Sequence, residues 1–364
     1  MTSKSSDLYD VSVVVPTHNR QGLLAKTLES LLDQRTGAVR YEVLVVDNNS
    51  KDDTRAVVET FVRRWPHLRY FFEPRPGVSH ARNTGIATAR APIIAFIDDD
   101  VEASPTWVAT IKQAFDAHPE IDCLGGRVDP RWSVPPPPWL TSRFWAAVAL
   151  QNDKADTPYV DADHAAPCLM TANFACRRTA LEEVGGFSAD YLRDEDRELQ
   201  LRLWAAGKHG LYVGDVAVTT EVPPDRLTKH YHRQFYTRVG ESHARMQYLD
   251  RIDAEGRLLR ETARHTTLLG TPGFIYRSLF IHAASLIWSV ATLQRSRAFF
   301  HETRLRYFVS YIRTRCRQRG HSLRALPGEL HRFVISLVAN RMRSRIERFL
   351  RRHPSAPPRR SVRT

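Results

Sequence analysis

Three short runs constrain this chain more than any other feature. VSVVVPT, YEVLVVD and PIIAFIDDD, beginning at Val11, Tyr41 and Pro92, are apolar on both alternating faces almost throughout and then end abruptly in polar residues. A strand with one wet face alternates, whereas one that is apolar on both faces has to be covered on both sides, as in a parallel sheet flanked by helices. The intervening segments supply the covers. QGLLAKTLESLLDQ sets Leu24, Leu28, Leu31 and Leu32 on one helical face, and DDTRAVVETFVRRW reads as a second helix with Asp52 or Asp53 as its cap. LRYFFEP is a third strand, and GVSHARNTGIATAR a loop that enters a helix.

The polar ends matter because ligands of open α/β sheets bind outside the carboxyl ends of the strands. Here those ends carry Pro16, Thr17 and Asn19, then Asp47 and Asn48, then Asp98, Asp99 and Asp100. Along an extended chain Asp98 and Asp100 point one way and Asp99 the other, so the outer pair can share a partner. Two readings stay open at this point: a hard divalent cation, or a solvated turn.

Further on, YLRDEDRELQLRLWAAG puts Asp194, Glu195 and Asp196 before a helix whose apolar residues include Leu199, Leu201, Leu203 and Trp204. A helix N-terminus suits carboxylates, and three crowded ones help to raise the pKa of one towards neutrality. DPRWSVPPPPWL can enter neither a helix nor a central strand; it predicts a stiff wall by the cleft, anchored by Trp132 and Trp139.

Taken in order, VVVPTHNR, VVDNNSKDDT, GVSHARNTGI, FIDDDV and LRDEDRELQLRL resemble the family 2 glycosyltransferases of GT-A fold, over Val11 to about Gly240. The resemblance implies a Rossmann-like, mostly parallel sheet flanked by helices, a nucleotide-diphosphate sugar donor and inverting transfer to an acceptor hydroxyl. It implies donor-side positions at Pro16, Thr17, Asn19, Arg20, Asp47, Asn48, Arg82, Asn83, Asp98, Asp99 and Asn173. Asp98 and Asp100 would hold Mn2+ or Mg2+, with Asp98 otherwise towards the ribose; Asp47 would accept from the base, and Arg82 would meet the diphosphate or order the nucleotide loop. Asp196 is the expected general base, with Glu195 beside it. One departure stands out: where many relatives carry a histidine, this chain has Thr219, Thr220 and Glu221. His230 is the candidate replacement ligand, with His232, Arg233 and Arg238 as other options.

Length and charge organise the remainder. The 364 residues, 42% hydrophobic and 26% charged, suffice for a full core. From Glu261 onward there are 21 arginines, no lysine and four acidic residues, so the net charge of +13 resides in that region. The expected organisation is a polar tail over 1–10, a transferase domain over 11–240 (nucleotide half 11–130, acceptor half 131–240), a basic, mainly helical region over 241–352 and a disordered tail over 353–364. Val334, Val338, Met342, Ile346 and Phe349 fall on one face of an arginine-rich helix, a pattern that lies on anionic bilayers. Ser278 to Gln294 is uncharged but short for a span and interrupted by His282. These features predict a lipid-linked or saccharide acceptor and an anionic membrane surface as partners. Nucleic acid is disfavoured for want of a reading module. The four cysteines lack C-x-x-C spacing and the first ten residues lack an apolar stretch, which predicts reduced thiols and a cytoplasmic protein on the inner face of the membrane. The rival readings are a nucleotidyltransferase acting on sugar phosphates and a non-catalytic basic membrane-binding protein.

Overall fold

The structure is a computed structural model that describes residues 9–152, 157–164, 168–191, 193–253, 257–259 and 267–320. The predicted helix through Val334 and Phe349 lies outside the described residues, as do the tails 1–8 and 353–364. The first half alternates strand and helix: β1 Val11–Thr17, α1 Gln21–Leu32, β2 Tyr41–Asp47, α2 Thr54–Arg64, β3 Leu68–Phe72, α3 Val78–Thr88 and β4 Ile93–Ile97. β1 is buried along its whole length and pairs in parallel with β2 and β4, while β2 pairs in parallel with β3. Helix α1 buries Leu24, Leu28 and Leu31, the face its spacing predicted. Asp53 occupies the N-cap position of α2, but it is the Asp52 carboxylate that accepts from the Thr54 amide, at 3.1 Å. The polar interruptions of the apolar runs satisfy one another: Ser12 donates to the buried Glu42, which also pairs with Arg69 at 3.0 Å.

The chain then adds β5 Val101–Ala103, α4 Trp107–Ala117, β6 Cys123–Trp132, β7 Thr157–Val160, β8 Asn173–Arg177, α5 Arg178–Glu183, α6 Glu195–Ala205 and β9 Gly210–Val222. The resulting sheet runs β3-β2-β1-β4-β8-β6-β9-β5, with β7 on β9. β8 is antiparallel to both β4 and β6, so the parallel half gives way to a mixed half at β4. That junction is where the three aspartates leave the sheet.

The remaining described elements are α7 Lys229–Arg245, α8 Tyr248–Arg251, the short pair β10 Thr267–Leu268 and β11 Thr271–Pro272, α9 Gly273–Ala291 and α10 Arg295–Gln318. α10 packs along α7 so closely that a Cβ on Gly240 would lie 2.4 Å from the Tyr307 carbonyl oxygen, and only glycine fits there. Residue 240 thus lies inside a helix. Trp139 is an anchor as expected, with its ring centroid 5.0 Å from those of His232 and Phe299. The four prolines before it do not line the cleft described below.

Candidate active site

All five residues of β4 are buried, so the chain meets water only beyond Ile97, and the three aspartates divide there. Asp99 turns inward, accepting from Thr17 Oγ1 at 2.7 Å and from Arg20 Nη1 at 2.9 Å. Burial raises its pKa to about 6 against the pull of Arg20. Asp98 and Asp100 stay partly exposed. Arg20 also pairs with Asp100 at 3.0 Å, and the pKa of Asp100 is raised by burial and then by Asp98. Asp98 faces a cavity and accepts from Arg82 Nη2 at 3.1 Å.

Arg82 is the hinge of the site. Its side chain, only 4% exposed, reaches from α3 to Asp98 on one side and, at 2.6 Å, to Glu195 at the start of α6 on the other. The guanidinium also lies over the Phe187 ring at 5.3 Å, and its Nε is buried without a hydrogen-bond partner. One cation therefore joins the acidic end of β4 to the acidic start of α6, which are far apart in sequence. Asp194, in a left-handed conformation at φ 58°, begins that helix. Two residues on, the carboxyl of Asp196 is pushed up to about 7 by burial first, then by Glu195 and Asp194. A carboxylate so poised gains and loses its proton near neutral pH, as a general base requires.

Most of the amides expected on the donor side hold backbone instead. Asn19, at φ 54°, accepts from the Lys51 amide, and Asn48 spans Arg75 and Gly77. Asn83 donates to the Phe187 carbonyl and accepts from the Phe187 amide. Asn173 is buried, accepting from Trp107 and donating to the Arg127 and Val216 carbonyls, and the structure does not bring it to the cleft. Pro16 is buried within β1. Asp47 accepts from Ser50 N and Tyr70 Oη, each at 2.8 Å, so the end of β2 presents a carboxylate already held in place.

A cavity of about 1210 Å³ collects Arg20, Arg82, Asp98, Glu195 and Asp196. Its far wall is helical and was not anticipated: His243, Arg277, Arg304 and Tyr307 line it from α7, α9 and α10. No local motif marks these residues; their only signal was an amphipathic, arginine-rich pattern. His230 stands exposed on α7 beside Gln234, and His232 is buried among Trp139, Phe144 and Tyr231, its pKa lowered to about 4 by burial; neither lines the cavity. Arg233 pairs with Glu302.

Among the described residues no group of three or more His, Cys, Asp or Glu side chains is arranged to hold a metal. Two carboxylates remain for one. Asp98 and Asp100 each engage an arginine through a single oxygen, and among the described residues the other oxygen of each is bonded to no other side chain. Asp98 lines the cavity and Asp100 does not; carboxylate oxygens of this kind suit Mg2+ or Mn2+.

The fold is shared with mannosyltransferase PcManGT from Pyrobaculum calidifontis, solved with GDP-Man and Mn2+, at a TM-score of 0.56 and 17% identity, covering 85% of this chain and 88% of that one. The architecture is thus that of a GT-A-type glycosyltransferase. Residues 12–185 match Glycosyl transferase family 2, and that segment is a domain of the family. Among curated relatives it is 34% identical over 236 residues to validoxylamine A glucosyltransferase of Streptomyces hygroscopicus subsp. limoneus, covering 57% of this chain and 50% of that protein. It is 29% identical over 254 residues to glycosyltransferase AglE of Haloferax volcanii, covering 68% and 77%. The match therefore spans about half the length of the first of these relatives.

Proposed function

We propose that this chain transfers a sugar from a nucleotide-diphosphate sugar to an acceptor hydroxyl with inversion, at a membrane surface, in polysaccharide or glycolipid synthesis. The observation that carries the reading is the Arg82 bridge, which sets the donor-side Asp98 and the base-side Glu195 against one cation in one cleft. In a single displacement the acceptor oxygen attacks C1 of the sugar as the bond to the leaving phosphate breaks on the opposite face. Asp196 takes the acceptor's proton, and its pKa of about 7 lets it do so at neutral pH. Glu195, fixed by Arg82, holds negative charge beside Asp196 and so keeps its basicity high. Arg20 and Thr17 fix Asp99, and with it the turn that presents Asp98 and Asp100. Those two would hold the divalent cation, which supplies positive charge against that building on the diphosphate. Asp47 and Asn48, at the end of β2, form the nucleoside side of the donor site, and the relative solved with GDP-Man is consistent with a donor of this class.

The test is a panel of nucleotide sugars with Mn2+ or Mg2+, read first by thermal shift and then by NMR of the product's anomeric configuration. A donor that raises Tm and yields the inverted product supports the proposal. Retention of configuration would refute the single-displacement scheme.

A further inference from the structure

The helical wall of the cleft has two properties that sugar transfer as such does not use. First, α9 sends Phe274, Arg277, Ser278 and Ile281 into the cavity, a stripe at intervals of three and four residues. Beyond that stripe Phe280, Ile287, Trp288 and Leu293 are 75%, 72%, 68% and 83% exposed. Ile281 belongs to both, lining the cavity while 46% exposed, so apolar surface reaches from the cleft to the outside. Second, Arg277 and Arg304 line the cavity and among the described residues form no ion pair, whereas Arg233, Arg306 and Arg315 are all matched to Glu302 or Asp250. Arg304 lies 5.0 Å from the Tyr307 ring centroid and 5.3 Å from that of Phe308, which fixes its position. Its positive charge is felt across this wall, lowering the pKa values of His243 and His282 after burial has done so.

We propose that Arg277 and Arg304 bind the phosphate of an amphiphilic acceptor, whose hydrocarbon chain leaves the cleft over α9 and continues into the bilayer on which that helix lies. This inference rests on the transferase reading and adds the acceptor's chemical class. Two unpaired guanidiniums are matched by a phosphate, and an exposed apolar stripe contiguous with them by a lipid chain. A soluble saccharide would use neither. α9 lies in the interface and does not cross it. It is 19 residues long with a mean hydropathy of 1.3 over its most apolar stretch, but α10 is packed along it, with His282 Nδ1 2.9 Å from His301 Nδ1. Crossing would drag the arginines of α10 into hydrocarbon, which is costly.

The test uses the full chain and phosphatidylcholine vesicles that are neutral, doped with a polyprenyl monophosphate, or doped with phosphatidylglycerol at matched surface charge. The third arm accounts for attraction by the remaining arginines. Flotation should be strongest with the polyprenyl phosphate. The double variant Arg277→Gln/Arg304→Gln should lose that preference by roughly tenfold or more while still floating like the parent on phosphatidylglycerol. The variant Ile287→Asp/Trp288→Asp changes exposed positions only; it should keep its Tm and lose flotation on neutral vesicles. Preference undiminished in the arginine variant would overturn the phosphate assignment, as would competition by inorganic phosphate equal to that by the lipid. A concentration-dependent dimer abolished by the α9 variant, with flotation unchanged, would assign the face to a second copy instead. Donor thermal shift on the same proteins separates the two readings: lipid preference without donor binding defeats the transferase scheme, and donor binding without lipid preference defeats this one.

Discussion

The two walls of the cleft treat charge differently. On the sheet side Arg20 is matched to Asp99 and Asp100, and Arg82 to Asp98 and Glu195, so the polar groups hold one another in place before any substrate arrives. On the helical side Arg277 and Arg304 have no ion-pair partner among the described residues, and α9 exposes apolar side chains. The difference shows how preorganisation and recognition divide the site. Groups that stabilise developing charge act best when already fixed, whereas groups satisfied by their own neighbours have less to offer a ligand.

The largest effect that tests this contrast is on the chemistry. Asp196→Asn should lower the transfer rate by about 100-fold to 10,000-fold while donor thermal shift is retained, as removal of a general base does. Near-parental turnover would move the base elsewhere on the wall. Next is the bridge itself. Arg82→Met leaves Asp98 and Glu195 with no cation between them, and loss of one partner of a buried pair costs about 3–5 kcal/mol, readable as a lower urea midpoint. A cost under about 1 kcal/mol would mean that packing around Phe187, and not charge, joins the two acidic segments.

A smaller change tests whether the helical wall is separable from the donor side. Gly240→Ala forces a Cβ against the Tyr307 carbonyl and should destabilise by about 1–3 kcal/mol. The donor-induced rise in Tm should persist, because the hydrogen bonds described for Thr17, Arg20, Asp47 and Asn48 involve no residue of α10; its loss would show that the walls form one cooperative unit. The smallest effect is on pH. The pKa of Asp196 is raised in the fold, from 3.8 to about 7, so the folded state binds the proton more tightly and loses stability as pH climbs through that interval. Asp196→Asn, whose amide oxygen can still accept from the Arg197 amide, should therefore melt with the parent near pH 4 and a few degrees above it at pH 8. The parent's transfer rate should rise with pH through about 7, as the base gives up its proton.

Legibility followed locality. The buried strands and their polar ends could be read because a run apolar on both faces has few other uses, and Val11–Thr17, Tyr41–Asp47 and Ile93–Ile97 all form strands. The asparagines were harder. Asn19, Asn48, Asn83 and Asn173 stand where the resemblance implies donor contacts, yet each binds backbone in the structure, because an amide bridges loops as readily as it reads a ligand. The arginine-rich region read as surface, since its pattern alone does not distinguish arginines facing lipid from Arg304 facing the cavity or Arg315 facing Asp250.

What the sequence determined by itself was the alternation of strand and helix, the placing of acids after β4 and before α6, and the excess of positive charge beyond residue 260. Each depends on neighbours along the chain. Only the tertiary structure decided that Arg82 would reach Glu195, 113 positions away, and join it to Asp98, that His243 and Tyr307 would close the cleft, and that the carboxyl of Asp196 would sit near neutrality. The physical reason is that a bridge requires two elements packed at one distance, and a raised pKa requires burial among like charges, both of which arise when distant parts of the chain exclude water together.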